Sequence, residues 1–165
     1  LTIPQRFIPD IASKERFNHL RRLVEQEGRT IPDDFDIDDI HWATDRIGIT
    51  DYEGCSESVL RGHFTINVAG ELASSADIQA DVNPGSGMVR ETLDGLAALM
   101  DKVLKDADDT KVVVHCAMGM ERSPLTVVWY LHTKLGKTID EAYDIVINAR
   151  ASVVDRRRCS FSNEF

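Results

Sequence analysis

Val112-Val113-Val114-His115-Cys116-Ala117-Met118-Gly119-Met120-Glu121-Arg122-Ser123-Pro124 is the stretch on which the reading of this chain turns. Its three consecutive valines, following Lys111, form an unbroken apolar, β-branched run. That is the pattern of a strand buried on both faces of a parallel sheet. From Ser123 the spacing becomes helical, and Pro124 fits a first helical turn, where no intrahelical N–H is required. A cysteine at a strand end is by itself most often a small buried hydrophobe. Here an arginine, a serine and a helix start follow it at a fixed distance, and that changes the reading.

A loop between a strand end and a helix N-terminus can turn its backbone N–H groups inward as a nest for an anion, and the helix dipole adds to it. Gly119 lets such a loop close tightly or take positive φ. Arg122 offers a planar fork that matches two phosphate oxygens. The same positive surroundings lower the pKa of Cys116, and a thiolate beneath a bound phosphate is a nucleophile in line with the phosphorus. Ser123 is placed to hydrogen-bond that sulfur. His115 is expected to fix loop geometry rather than to act as a base. Ala117, Met118, Gly119, Met120, Glu121 and Arg122 are then the phosphate-binding residues.

Downstream, the helix from Ser123 runs to Leu135, with Gly136 to end it. Thr138 and Glu141 form a capping box for a last helix. Upstream, Val89, Leu93, Leu96, Met100 and Val103 step at helical spacing, predicting a helix over 87–105. Residues 70–86 read as loop, with a short strand over 77–80. Strands are predicted at 64–68 and at 42–49, with a short helix at 56–61 between them. Phe17, Leu20 and Val24 mark an N-terminal helix with Ser13 as its cap and Gly28 as its stop. An acidic run, Asp33 to Asp39, follows it as a connector. Strands alternating with helices predict an α/β domain with a central, mostly parallel, twisted sheet of four to five strands flanked by helices. Residues 1–39 are read as a helical extension packed on a main domain of residues 40–165.

The chain has 165 residues, enough for one domain with a core. Its formal net charge of −9 lacks the basic footprint of nucleic-acid binding and disfavours docking on anionic membranes. No apolar run approaches the roughly 20 residues that span a bilayer. The first ten residues lack the basic flank and apolar stretch of a secretory signal. Cys55, Cys116 and Cys159 are too few for a disulfide framework and have no zinc-site spacing, so a reducing cytoplasm is the simplest setting. Neither a metal nor a cofactor is expected, because Arg122 and the amide nest supply the charge. Trp129 and Tyr130 are expected in the core.

His115-Cys116 followed by five residues and Arg122-Ser123 resembles the HCx5R(S/T) signature of the cysteine-based protein tyrosine phosphatase superfamily. The loop lies after about two thirds of the chain, as in the compact dual-specificity phosphatases. Trp42-Ala43-Thr44-Asp45-Arg46-Ile47-Gly48-Ile49 is similar to that family's first strand, and Thr65-Ile66-Asn67-Val68-Ala69-Gly70-Glu71-Leu72 to its "LNVA" strand. The likeness covers about residues 40–150. It implies a phosphocysteine mechanism, with a general-acid Asp on the loop ahead of the long helix. Asp81 is favoured and Asp77 is the alternative, while Pro84 and Gly85 also allow Asp81 a turn-capping role. The implied substrates are phosphorylated proteins. A small-molecule or lipid phosphomonoester is the second reading, and a phosphoprotein-binding form without turnover the third. Glu121 stands where phosphoinositide-selective relatives tend to carry lysine. Either it repels additional phosphates or it pairs with an arginine. Arg156-Arg157-Arg158 either flanks the pocket or forms a solvated tail.

Overall fold

A computed structural model describes residues 11–158 of the chain, without the side chains of residues 11–14 and 16. The elements are α1 (Ile11–Gln26), β1 (His41–Thr44), β2 (Ile47–Thr50), α2 (Gly54–Leu60), β3 (Phe64–Asn67), β4 (Ile78–Gln79), α3 (Val89–Asp106), β5 (Val112–His115), α4 (Arg122–Leu135) and α5 (Ile139–Ala149). One five-stranded sheet has the order β1-β2-β5-β3-β4. β5 is its centre, parallel to β2 on one side and β3 on the other, and β4 continues parallel beyond β3. Only β1 runs antiparallel. A strand so enclosed has both faces buried, which is why Val112, Val113 and Val114 are all fully covered.

α3, α4 and α5 pack side by side, and both α3 and α4 touch β5. α4 is the middle member, so Ser123 through Leu131 are buried without a solvent face, Trp129 and Tyr130 among them. Gly136 ends α4 in the left-handed region at φ +72° and sends its N–H to Leu131 O. The Thr138–Glu141 capping box is present in full and starts α5.

Two expectations change. The strand predicted over 42–49 is a hairpin, broken at Asp45-Arg46. Thr44 Oγ1 accepts from the N–H groups of Arg46 and Ile47 (3.2 and 3.1 Å) and turns the chain without glycine or proline. α1 begins at Ile11, so Ser13 lies inside the helix instead of capping it.

α1 belongs to a small second core. Leu20, Val24 and Ile31 are buried against Val154 and against Met120 of the loop that follows β5, with Phe17, Leu23, Phe35, Ile37 and Met118 around them. Each such aliphatic side chain, fully buried, contributes about 1.5–3 kcal/mol. The N-terminal segment therefore packs on the loop that carries Cys116.

Candidate active site

The shape of the loop between β5 and α4 follows from where its carbonyls go. Cys116 O accepts from His115 Nδ1 (2.9 Å), Ala117 O from Tyr52 N–H (3.0 Å) and Met120 O from Val154 N–H (2.8 Å). Met118 O and Gly119 O accept from Nη2 and Nε of Arg150 (2.9 and 2.8 Å). Glu121 O accepts from Leu125 N–H as α4 begins (3.0 Å). Six consecutive carbonyls are thus held on the outside of the loop. No described peptide is cis, so each following N–H points the opposite way, into the hollow. Ala117 to Arg122 therefore present a nest of amide hydrogens, backed by the N-terminus of α4.

Cys116 is 3% exposed at the floor of this nest. Its Sγ lies 3.2 Å from Ser123 Oγ and 3.4 Å from Ser123 N. Burial pushes the thiol up, but the Arg122 charge and hydrogen bonds from Ser123 and the Gly119 amide outweigh it, and the thiol is held below its ordinary value. Gly119 has φ +66°, and a Cβ there would stand 2.6 Å from both Arg150 Nη2 and Thr50 O. A side chain at this position would break the loop's support.

His115 is fully buried. Nδ1–H donates to Cys116 O, which leaves Nε2 to accept from Ser74 Oγ at 2.9 Å. Burial lowers its pKa, opposed by the bond to Cys116 O and assisted by the Arg122 charge. The ring is therefore neutral, with both nitrogens engaged in holding the loop.

Arg122 stands at the start of α4, its two terminal nitrogens on the two oxygens of Glu71 (2.6 and 2.8 Å). Asp77 is committed to β3: its Oδ2 accepts from Thr65 N–H and its own N–H donates to Thr65 O, both at 2.8 Å. Asp81 is exposed and lies against Gly70, the neighbour of Glu71. The carboxylate of Glu121 is taken by Arg156, with Nε at 2.8 Å. Arg157 is surrounded by Asp155, Asp140 and Asp144. The reading of Arg156 and Arg157 as a solvated tail does not hold, because both are drawn onto carboxylates of the folded domain. Arg158 is exposed. Cys55 is buried on α2 with Sγ 3.8 Å from Ser75 Oγ. Cys159 lies outside the described residues.

Two participants escaped the sequence reading. Glu71 sits 51 residues from its partner with no local pattern to flag it. Arg150 is fully buried, and besides the two loop carbonyls it reaches Ile37 O (2.8 Å), Asp39 O (3.2 Å) and His41 Nδ1 (2.7 Å). Its guanidinium also lies over the Phe35 ring. Burial lowers its pKa to about 10, with Asp51 opposing, so it remains charged at neutral pH. A signal for Arg150 existed. Val146, Ile147, Val153 and Val154 are its neighbours at three and four positions on either side, so the cation sits on an apolar face with no carboxylate in reach of a helical pair.

A thiolate cradle at a strand–helix junction in the middle of a parallel sheet defines a cysteine-phosphatase-like catalytic domain. Residues 63–163 match the family described as dual specificity phosphatase, catalytic domain, and the chain belongs to it. Among solved structures, human DUSP28 is similar at 15% identity and a TM-score of 0.59, over 69% of this chain and 82% of that one. A human tyrosine phosphatase-like serine/threonine/tyrosine-interacting protein follows at 17% and 0.58, over 69% and 85%. The Cydia pomonella PTP-2 phosphatase follows at 14% and 0.56, over 68% and 81%. Identities this low carry the fold alone. No curated protein matches the chain significantly. Among the described residues, no helix is long and apolar enough to cross a membrane.

Proposed function

We propose that the protein is a phosphomonoester hydrolase that works through a phosphocysteine on Cys116 and acts on phosphorylated protein side chains. The observation that carries this is the lowered thiol of Cys116 beneath six inward-facing amide hydrogens, beside a guanidinium. The phosphate oxygens sit in the nest and on Arg122. The thiolate forms the S–P bond as the P–O bond to the leaving group breaks. Asp81 gives its proton to the departing oxygen. Asp81 then accepts a proton from water as that water attacks phosphorus, and the sulfur leaves as a thiolate, with Ser123 Oγ–H supporting its charge. Asp77 is not chosen for the acid because both its hydrogen-bonding groups hold β3.

The catalytic unit is taken as residues 40–165, with 1–39 as an extension whose described part packs on the loop. Glu121 does not act as an unpaired repelling charge, because Arg156 neutralises it. A reducing cytoplasm suits a reactive thiolate.

The test is a rapid-mixing assay with p-nitrophenyl phosphate. One equivalent of p-nitrophenol is expected in a burst, as phosphocysteine forms faster than it hydrolyses. Cys116→Ser should abolish turnover and still bind inorganic phosphate. Turnover surviving in Cys116→Ser would overturn the proposal.

A further inference from the structure

One short segment after α5, residues 150–156, holds the loop that follows Cys116 almost residue for residue. Arg150 donates to Met118 O and Gly119 O, Val154 N–H to Met120 O (2.8 Å), and Arg156 Nε to Glu121 Oε2 (2.8 Å). The segment lies outside every helix and strand of the fold through Val154 and Asp155, so no ladder of its own fixes it. Whatever holds this segment therefore decides where the loop carbonyls point.

The hold comes from the N-terminal chain. Arg29 Nη1 donates to Ala151 O (3.2 Å) and Nη2 to Val153 O, across 122 and 124 residues of sequence. Glu27 Oε1 accepts from the same Nη2, and its Oε2 accepts from Asp155 N–H (3.3 Å). Gly28, in the left-handed region at φ +82°, turns the chain between these two residues. Val153 and Asp155 thus direct backbone groups toward Arg29 and Glu27, while Val154 between them directs its N–H to Met120. Their side chains divide as well: Val153 is buried in the main core, and Val154 in the second core with Leu20, Val24 and Ile31. Arg29 and Glu27 are only 25% and 28% exposed, which sets them apart from an open surface pair.

We propose that residues 150–156 are a strap that sets the geometry of the phosphate loop, and that Arg29 and Glu27 are positioning residues that hold the strap in place. The N-terminal extension then belongs to the phosphate-binding machinery through these two residues. Both act through the strap. A looser strap lets Met118 O, Gly119 O and Met120 O swing, and the amides that follow them lose their aim. The Gly119 amide, which follows Met118 O, is one of the groups that lower the Cys116 thiol. Only the kinetic readout below rests on the phosphatase reading above.

A second guanidinium of the same kind serves as the control. Arg46 donates to Leu104 O (2.9 Å), Ala107 O (2.6 Å) and Thr110 O (2.9 Å), beside Val112 at the end of β5 opposite the loop. Arg29→Ala loses two hydrogen bonds of ordinary net worth and should weaken inorganic phosphate binding about fivefold. KM for p-nitrophenyl phosphate should rise by the same factor, and the pH inflection of Cys116 alkylation by iodoacetate should move upward. Arg29→Lys, whose ammonium replaces a fork with a single point, should fall between Arg29→Ala and wild type. Arg46→Ala should lower Tm at least as much, yet leave phosphate affinity and the inflection at wild-type values. Wild-type phosphate affinity and inflection in a destabilised Arg29→Ala would overturn the proposal. So would an equal shift in Arg46→Ala, which would make the thiol a reporter of general loosening. If Arg29→Ala does not fold, Arg29→Lys carries the same comparison. If the wild type shows no turnover, the phosphatase reading fails, while phosphate titration and alkylation still decide the role of the strap.

Discussion

Two arginines serve the same six-residue loop, one as its last residue and one from behind, and they are used in opposite ways. Arg150 spends its donors inside the protein, on four carbonyls and the ring of His41. Arg122 gives its end edge to Glu71, and its charge pulls the Cys116 thiol down against the effect of burial. The one behind holds Met118 O and Gly119 O outward, which turns the two amides that follow them inward. The one in front adds charge to a cradle already made. A guanidinium can therefore build an anion site without touching the anion, and its removal should harm folding before it harms chemistry.

That contrast is sharpest under alanine substitution. Arg150→Ala strips the Arg150 partner from Ile37 O, Met118 O and Gly119 O at about 1–3 kcal/mol each, and leaves Asp39 O the Thr50 hydroxyl. The sum reaches the whole stability of a typical domain, about 5–15 kcal/mol. Arg150→Ala is expected to be unfolded at 37 °C, and Arg150→Lys folded but with a strongly lowered Tm by circular dichroism. Arg122→Ala should melt close to wild type and have no measurable turnover. A well-folded Arg150→Ala that turned over substrate would erase the distinction between building and binding.

The next effect is smaller and tests the support behind Arg150. Ile37 O and Asp39 O, two of its acceptors, come from the N-terminal segment, and Val24 is fully buried beneath Met120. Val24→Asp places a carboxylate in that second core. The loss of burial and the added desolvation should cost about 3–4 kcal/mol. Activity should fall with stability, because the wall it breaks is the loop's own. If α1 detached with kcat and KM unchanged, the segment would be an appendage after all.

The front side makes a prediction about pH. With the Cys116 thiol held below the ordinary cysteine range of about 8.5, kcat/KM should rise through an inflection below that value. The sign for stability follows from linkage. The native state releases this proton first, so the thiolate stabilises the fold above the unfolded pKa, and that gain is lost as pH falls through the native one. Arg122→Gln removes the leading lowering cause and should move the inflection of iodoacetate alkylation upward. An unmoved inflection would mean that the amide nest and Ser123 alone set the thiolate.

How much could be read from the chain alone divides along the same line. The hollow side is contiguous: β5, the nest, Cys116, Arg122 and Ser123 occupy one stretch, and a strand run followed by a helix start exposes it. The fold class followed from the same alternation. The supports are not contiguous. Glu71, Ser74, Tyr52, Arg150 and Val154 meet the loop from five places, and all but Arg150 are ordinary in their own neighbourhoods. The hairpin at Asp45-Arg46 was hidden for a related reason, since a threonine hydroxyl makes that turn where glycine or proline would have announced it. Arg156 took Glu121 from across the fold, a pairing that was an open alternative until both ends were placed.

The last effect concerns a carboxyl behind the loop. Asp51 is 5% exposed, accepts from Gly54 N–H at 2.8 Å and shares a hydrogen bond with Asp38. Burial first, then the Asp38 bond, pushes its pKa far above the ordinary carboxylate range, against the pull of the Gly54 amide and Arg150. The native state keeps this proton where the unfolded chain, with a pKa of about 3.9, has released it. The unfolded state then binds fewer protons, so this group's contribution to stability falls as pH rises above about 4. Asp51→Asn carries no titrating proton and preserves the shape. Its Tm should match wild type near pH 4 and exceed it by a widening margin toward pH 8, with turnover unchanged. A margin that stayed constant with pH would show Asp51 ionised in the fold, and Arg150 would then be the partner of a buried carboxylate as well as the support of the loop.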